Sequence, residues 1–158
     1  MIVPRVYTVT FQAVAVTASQ DFFELTPADD KPISLLGLFL SQYSDFGDAQ
    51  DELLSWSVIR GFTTSGSGGT TPTPRPLNRS DAAAGFAAEV NNTTKATVGT
   101  THLLHADSFN VRAGLSNWWT PETVPGASQA DTTIVVRLES TPVDSLTMNG
   151  TLYVAELG

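Results

Sequence analysis

Residues 132–139 read TTIVVRLE. Apolar Ile134, Val136 and Leu138 alternate there with Thr133, Val135, Arg137 and Glu139, the period of two that sends successive side chains to opposite faces of a strand. A helix would place its apolar positions three and four residues apart. The next stretch agrees. A Thr141-Pro142-Val143-Asp144 turn leads into residues 146–157, where Leu146, Met148, Leu152 and Val154 share a face. Gly150 interrupts that face, as expected at a bend or a close backbone approach.

Working outward, residues 5–17 alternate in the same way through Tyr7, Val9 and Phe11, then switch parity to Val14 and Val16. A bulge near Ala13 would account for the switch. Phe22 to Leu25 reads as a short strand ending at the turn residues 26–32, TPADDKP. Residues 33–41 read as a buried strand, 43–51 as a loop, and 54–62 as a strand with Leu54, Trp56 and Val58 on one face. Candidate strands over 94–100, 102–109 and 111–119 follow, and Ser80 could cap a short helix starting at Asp81. About eight strands with turn signals between them fit one all-β domain over 1–158, a β-sandwich of jelly-roll type. Residues 63–79 contain TTSGSGGTTPTPRP and read as a long Gly/Pro-rich excursion from a sheet.

Composition narrows the function. Only 15% of residues are charged against 41% hydrophobic, below the roughly 25% charge usual in soluble domains. Such a surface desolvates easily, which suits a subunit in contact with neighbours. The net charge is −8 and the cations Arg5, Lys31, Arg60, Arg75, Arg79, Lys95, Arg112 and Arg137 are scattered. Clustered cations, needed to displace counterions from phosphate or to hold an anionic membrane, are missing. Cysteine is absent, which removes disulfides, zinc–thiolate sites and thiol nucleophiles. Met1 to Arg5 does not read as a signal peptide, and the apolar run 35–40 is too short to span a bilayer. The expectation is a soluble intracellular product.

Few residues point to chemistry. His102 and His105 stand three apart in a strand-like context that turns them to opposite faces, with Asp107 as the nearest third ligand. Asp45, Asp48, Asp51 and Glu52 surround Gly47 in an acidic loop that could bind calcium, although its spacing differs from an EF-hand. No GxSxG elbow and no phosphate-loop lysine occur. The reading is therefore no enzyme, no cofactor and no resident metal. Trp118 and Trp119, adjacent on a strand, must face opposite ways, leaving one for an interface or, as the second choice, for sugar stacking with Tyr43 or Tyr153. Four Asn-x-Ser/Thr triplets begin at Asn78, Asn91, Asn92 and Asn149, as chance provides in a Thr-rich chain.

The stretches RVYTVTF (5–11), TPADDKPISLLGL (26–38), SGSGGTTPTPRPL (65–77), EVNNTT (89–94) and VVRLESTPVDSLTMNGTLYVAEL (135–157) together resemble the small virion proteins of tailed bacteriophages. The resemblance is to capsid decoration, or cement, proteins. It implies a compact β-domain made in the host cytoplasm and placed on the outer surface of the capsid. It also implies a homotrimer bridging copies of the major capsid protein. On that reading residues 63–79, with Pro72, Pro74 and Arg75, form an arm on neighbouring subunits, and Trp118 and Trp119 supply an interface. A carbohydrate- or receptor-binding module, or a head–tail or tail component, is the alternative.

Overall fold

The computed structural model describes residues 4–43 and 51–158 and is all-β, with no α-helix among them. Eleven strands follow one another: β1 (Arg5–Val16), β2 (Asp21–Thr26), β3 (Ile33–Gln42), β4 (Leu53–Phe62), β5 (Arg75–Pro76), β6 (Ala87–Asn92), β7 (His102–Asn110), β8 (Leu115–Trp118), β9 (Gly126–Ala127), β10 (Thr133–Leu138) and β11 (Leu146–Glu156). The first sheet has the order β5-β1-β11-β3-β8, with β9 also against β3, and the second β6-β2-β10-β4-β7. Every pairing is antiparallel. A short 3-10 turn at Gln129–Asp131 precedes β10.

The two sheets bury one core between them, including Tyr7, Phe11, Phe22, Phe23, Leu38, Trp56, Val58, Leu138, Met148 and Leu152. The alternation seen in sequence is what fills it: Ile134, Val136 and Leu138 of β10 lie in this core with Leu146, Met148, Leu152 and Val154 of β11. The parity switch in β1 is a bulge. Its register to β11 skips between Phe11 and Val14, and Ala13 takes φ 57°, with its N–H held by Asn149 Oδ1 at 2.9 Å. A second skip, between Val136 and Arg137, passes over Phe22 and lets both adjacent rings Phe22 and Phe23 join the core.

The outward positions of β10 are not exposed. Val135 is buried with Phe62 and Ala96 beneath the outer loops of the second sheet. Arg137 forks onto Asp21, Nε to Oδ1 at 2.6 Å and Nη2 to Oδ2 at 3.0 Å, and its Nη2 also donates to the Ala96 carbonyl at 2.8 Å. Asp21 Oδ2 takes the Ala96 N–H at 2.7 Å, and the guanidinium lies 4.7 Å from the Phe62 ring centre. A bidentate, hydrogen-bonded pair of this kind is what makes a buried charge tolerable.

Residues 94–100 form no strand. They carry single bridges, Thr94 to Ser67 and Thr97 to Thr64. The helix expected from Asp81 is absent too. Glu156 Oε2 accepts the N–H groups of Gly85 at 2.8 Å and Phe86 at 3.0 Å, and the Tyr7 hydroxyl donates to the Ala82 carbonyl at 3.0 Å. Those tertiary bonds hold the segment in an irregular path that its weak local preference does not resist.

Candidate functional site: an uncharged aromatic face

The outer faces of the two sheets differ. The second sheet is covered by its own chain through the Gly-rich part of residues 63–70. The Ser65 hydroxyl donates to Glu24 Oε1 at 2.6 Å, the Gly66 N–H reaches both Glu24 oxygens at 3.1 Å, and Asn92 Nδ2 donates to Glu24 Oε2 at 2.9 Å. Thr70 then exchanges backbone bonds with Val90 on the free edge of β6. The Pro-rich part crosses to the other sheet, where β5 pairs with Tyr7 and Thr8 on the free edge of β1 and the Leu77 N–H donates to the Val6 carbonyl at 2.9 Å. The segment expected as an arm is thus stitched to its own domain along one side of the sandwich. Proline, which has no N–H to offer, suits such an edge position.

The first sheet is open. Two cross-strand rows traverse β1, β11, β3 and β8: Thr8, Tyr153, Gly37 and Trp118 in one, Thr10, Thr151, Phe39 and Ser116 in the next. None of the eight carries a charge, and three rings gather among them. Trp118 stacks on Tyr153 with centroids 5.0 Å apart and 30° between planes. Phe39 meets the edges of Trp118 at 5.2 Å and Tyr153 at 5.8 Å. Trp118 keeps 60% of its surface exposed. It lies over Gly37, where a Cβ would stand 2.5 Å from indole Cε3. Glycine at 37 is therefore what lets the ring lie flat.

Of the residues singled out in sequence, the structure brings Arg75 and Trp118 into one row. Arg75 pairs with Thr8 at one end of it and Trp118 pairs with Gly37 at the other, four strand spacings or about 19 Å away. Pro72 and Pro74 are half-buried beside Arg75. Trp119 turns the other way, into the core edge, where its ring meets Trp56 at 6.4 Å and His105 at 5.9 Å. Tyr43 is exposed. Phe39 escaped the sequence reading because it sits inside the apolar run of β3, where strand parity cannot be read without knowing that the register skips between Tyr153 and Val154.

The two histidines do not oppose each other as a plain strand would have it. The β4–β7 register skips at Leu104, so His105 stands opposite core residue Val58 and His102 opposite Arg60, on the same side of the sheet. Among the described residues no group of three His, Asp or Glu is placed to hold a metal ion. Of the acidic loop, Asp45 and Asp48 lie outside the described residues. Asp51 pairs with Arg112 at 2.9 Å, and Glu52 accepts the Val143 N–H at 2.8 Å.

Among the described residues, two groups have shifted ionisation. Burial, then the neighbouring Glu156 carboxylate, pushes the Tyr7 hydroxyl above its usual value against the lowering effect of Arg5. The backbone N–H of Ser128 holds Asp131 below the usual carboxylate range, outweighing desolvation. Both are structural positions away from the aromatic rows. The rows themselves offer ring faces, hydroxyls and no acid or base, an arrangement that binds by desolvation and stacking. Comparison with protein-family models, with curated proteins and with solved structures finds no match.

Proposed function

We propose that this chain is a structural virion subunit, a capsid decoration protein of a tailed bacteriophage, which docks on the major capsid protein through the outer face of its first sheet. The observation that carries the reading is the uncharged Phe39–Trp118–Tyr153 face on a chain of net charge −8 whose other sheet is covered by its own loops. A neutral aromatic face is where such an acidic molecule meets a partner with least repulsion and most apolar gain. Tryptophan and tyrosine at the centre of a patch are the residues that dominate binding energy in interfaces. The strand order supports a jelly-roll reading: β1-β11-β3-β8 faces β2-β10-β4-β7, with β5, β6 and β9 as additions at the margins.

Co-sedimentation with purified shells of the major capsid protein tests it. The wild-type chain is expected to pellet with the shells. Trp118→Ala is expected to weaken binding by about 30-fold or more, the equivalent of a 2 kcal/mol hot spot, while remaining folded by far-ultraviolet circular dichroism. Failure of the wild-type chain to bind, or full binding by the variant, removes the proposal. A second reading, a carbohydrate-binding face, draws on the flat exposure of Trp118. Quenching of its fluorescence by simple sugars, without shell binding, would select it.

A further inference from the structure

One side of the sandwich is sealed by residues 63–77, as described; the opposite side ends in β7 and β8. Among the described residues, no backbone hydrogen bond other than those to β4 reaches residues 102–109 of β7. A nine-residue edge strand with backbone N–H and C=O groups that no neighbouring strand takes up, the Ser108 N–H being held by its own strand's Asp107, is a template for pairing with another strand. Leu103 on this strand is 64% exposed.

We propose that β7 pairs antiparallel with β7 of a second copy of this chain, joining the second sheets of two molecules across a two-fold axis. The register of the strand favours it. A two-fold axis between Leu104 and His105 puts His102 opposite Asp107, Leu103 opposite Ala106 and Thr101 opposite Ser108, each pair occurring twice. Residues directly opposite in an antiparallel pair share a face, and the pairing with β4 settles the faces. His102 stands opposite Arg60 and Asp107 opposite Trp56, on the inner side; Leu103 stands opposite Ile59 and Ala106 opposite Ser57, on the outer side. Ile59 packs on the outer cluster of Phe62, Ala96 and Val135, while Trp56 and Val58 belong to the core. So imidazole meets carboxylate on one face and alkyl meets methyl on the other. The Ser108 N–H occupies Asp107 Oδ1 at 2.7 Å, which leaves Oδ2 for the imidazole.

A bulge and an inward-turned carboxylate are also devices that keep edge strands apart. Here the bulge at Leu104 is what brings His102 and Asp107 onto the same face, so in this register the two devices complement each other across the axis instead of repelling. The contact makes pairs, in place of the threefold ring that the resemblance implies. It uses no residue of the Phe39–Trp118–Tyr153 face, so it stands or falls separately from shell binding.

The test is the solution mass of the full chain by sedimentation equilibrium, for the wild type and three variants. The wild type is expected at twice the 16.8 kDa of one chain. His102→Asp sets carboxylate against carboxylate, and Asp107→His sets imidazole against imidazole. Each is expected to weaken self-association at least tenfold, and the double variant, which exchanges the two groups, to restore it. Both positions are exposed, and far-UV circular dichroism confirms that each variant is folded. A wild type that stays monomeric across the micromolar range or forms trimers, single variants that associate as the wild type does, or a folded double variant that stays monomeric would each overturn the pairing.

Discussion

Gly37 has no side chain because the Trp118 ring occupies the place where one would stand. Gly37→Ala is expected to lift the indole from the sheet and break its stack on Tyr153. The near-ultraviolet circular dichroism of the aromatic cluster would fall, with a cost to folding of about 1–3 kcal/mol, as in overpacked sites. Retention of that signal would show that the ring does not depend on the glycine. Tyr7 argues for a pH effect. Its hydroxyl titrates above the usual value because burial and Glu156 disfavour the phenolate. The neutral form is therefore favoured by folding, a contribution fully present below pH 10.0, the ordinary value, and lost as pH rises through the raised one. Tyr7→Phe is expected to flatten the alkaline limb of stability against pH. At neutral pH it should cost about 1 kcal/mol for the lost bond to Ala82. An unchanged alkaline limb would assign that limb to other groups. The alternation of single residues was legible in β1, β10 and β11, and the Ala13 bulge was visible as a change of parity. The shared face of His102 and His105 was not, because the bulge at Leu104 lies within an apolar pair that leaves no mark on the pattern.

The Gly/Pro segment shows how an element can be visible in sequence and its use hidden. Its composition marks an irregular excursion, but only tertiary bonds decide whether such a chain reaches outward or lies on its own domain. Glu24 decides much of it. This carboxylate is 2% exposed and gathers Ser65, Gly66 and Asn92. Gly69 lies so close to the Val90 carbonyl that a Cβ could not fit between them. Glu24→Ala removes the acceptor on which the loop is hung. A loss of about 1.5–3 kcal/mol is expected, the range for hydrogen bonds to a charged group. Faster amide hydrogen exchange is expected at Gly66 and Thr70, with β3 and β11 unaffected at matched stability. Protection that persisted at Gly66 would mean that the bridges at Ser67 and Thr70 hold the loop without the carboxylate. The same covering explains why Val135, outward by alternation, is buried and Arg137 half-buried. The sequence reads what a strand presents, not what later folds over it.

At the scale of the molecule, the first and last strands lie side by side. β11 runs between β1 and β3, with Arg5 opposite Glu156 and Val16 opposite Leu146 on one flank and Ile33 opposite Glu156 on the other. No sequence pattern announces that arrangement, since strand order depends on which long-range pairings win; a sandwich was readable and its order was not. The consequence concerns folding. Because β11 supplies core residues Leu146, Met148, Leu152 and Val154, the first sheet has no continuous centre until the end of the chain is present. Non-local pairing of this kind delays folding, because loop-closure entropy precedes the reward of contact. A chain ending at Ser145 is expected to show no cooperative thermal transition and no dispersed amide spectrum. An added peptide of residues 146–158 is expected to restore both, since the missing strand has a defined slot and register between β1 and β3. A truncated chain that melted cooperatively by itself would show that the second sheet and the remaining strands fold independently of β11, and that the pairing of the termini completes the sandwich without organising it.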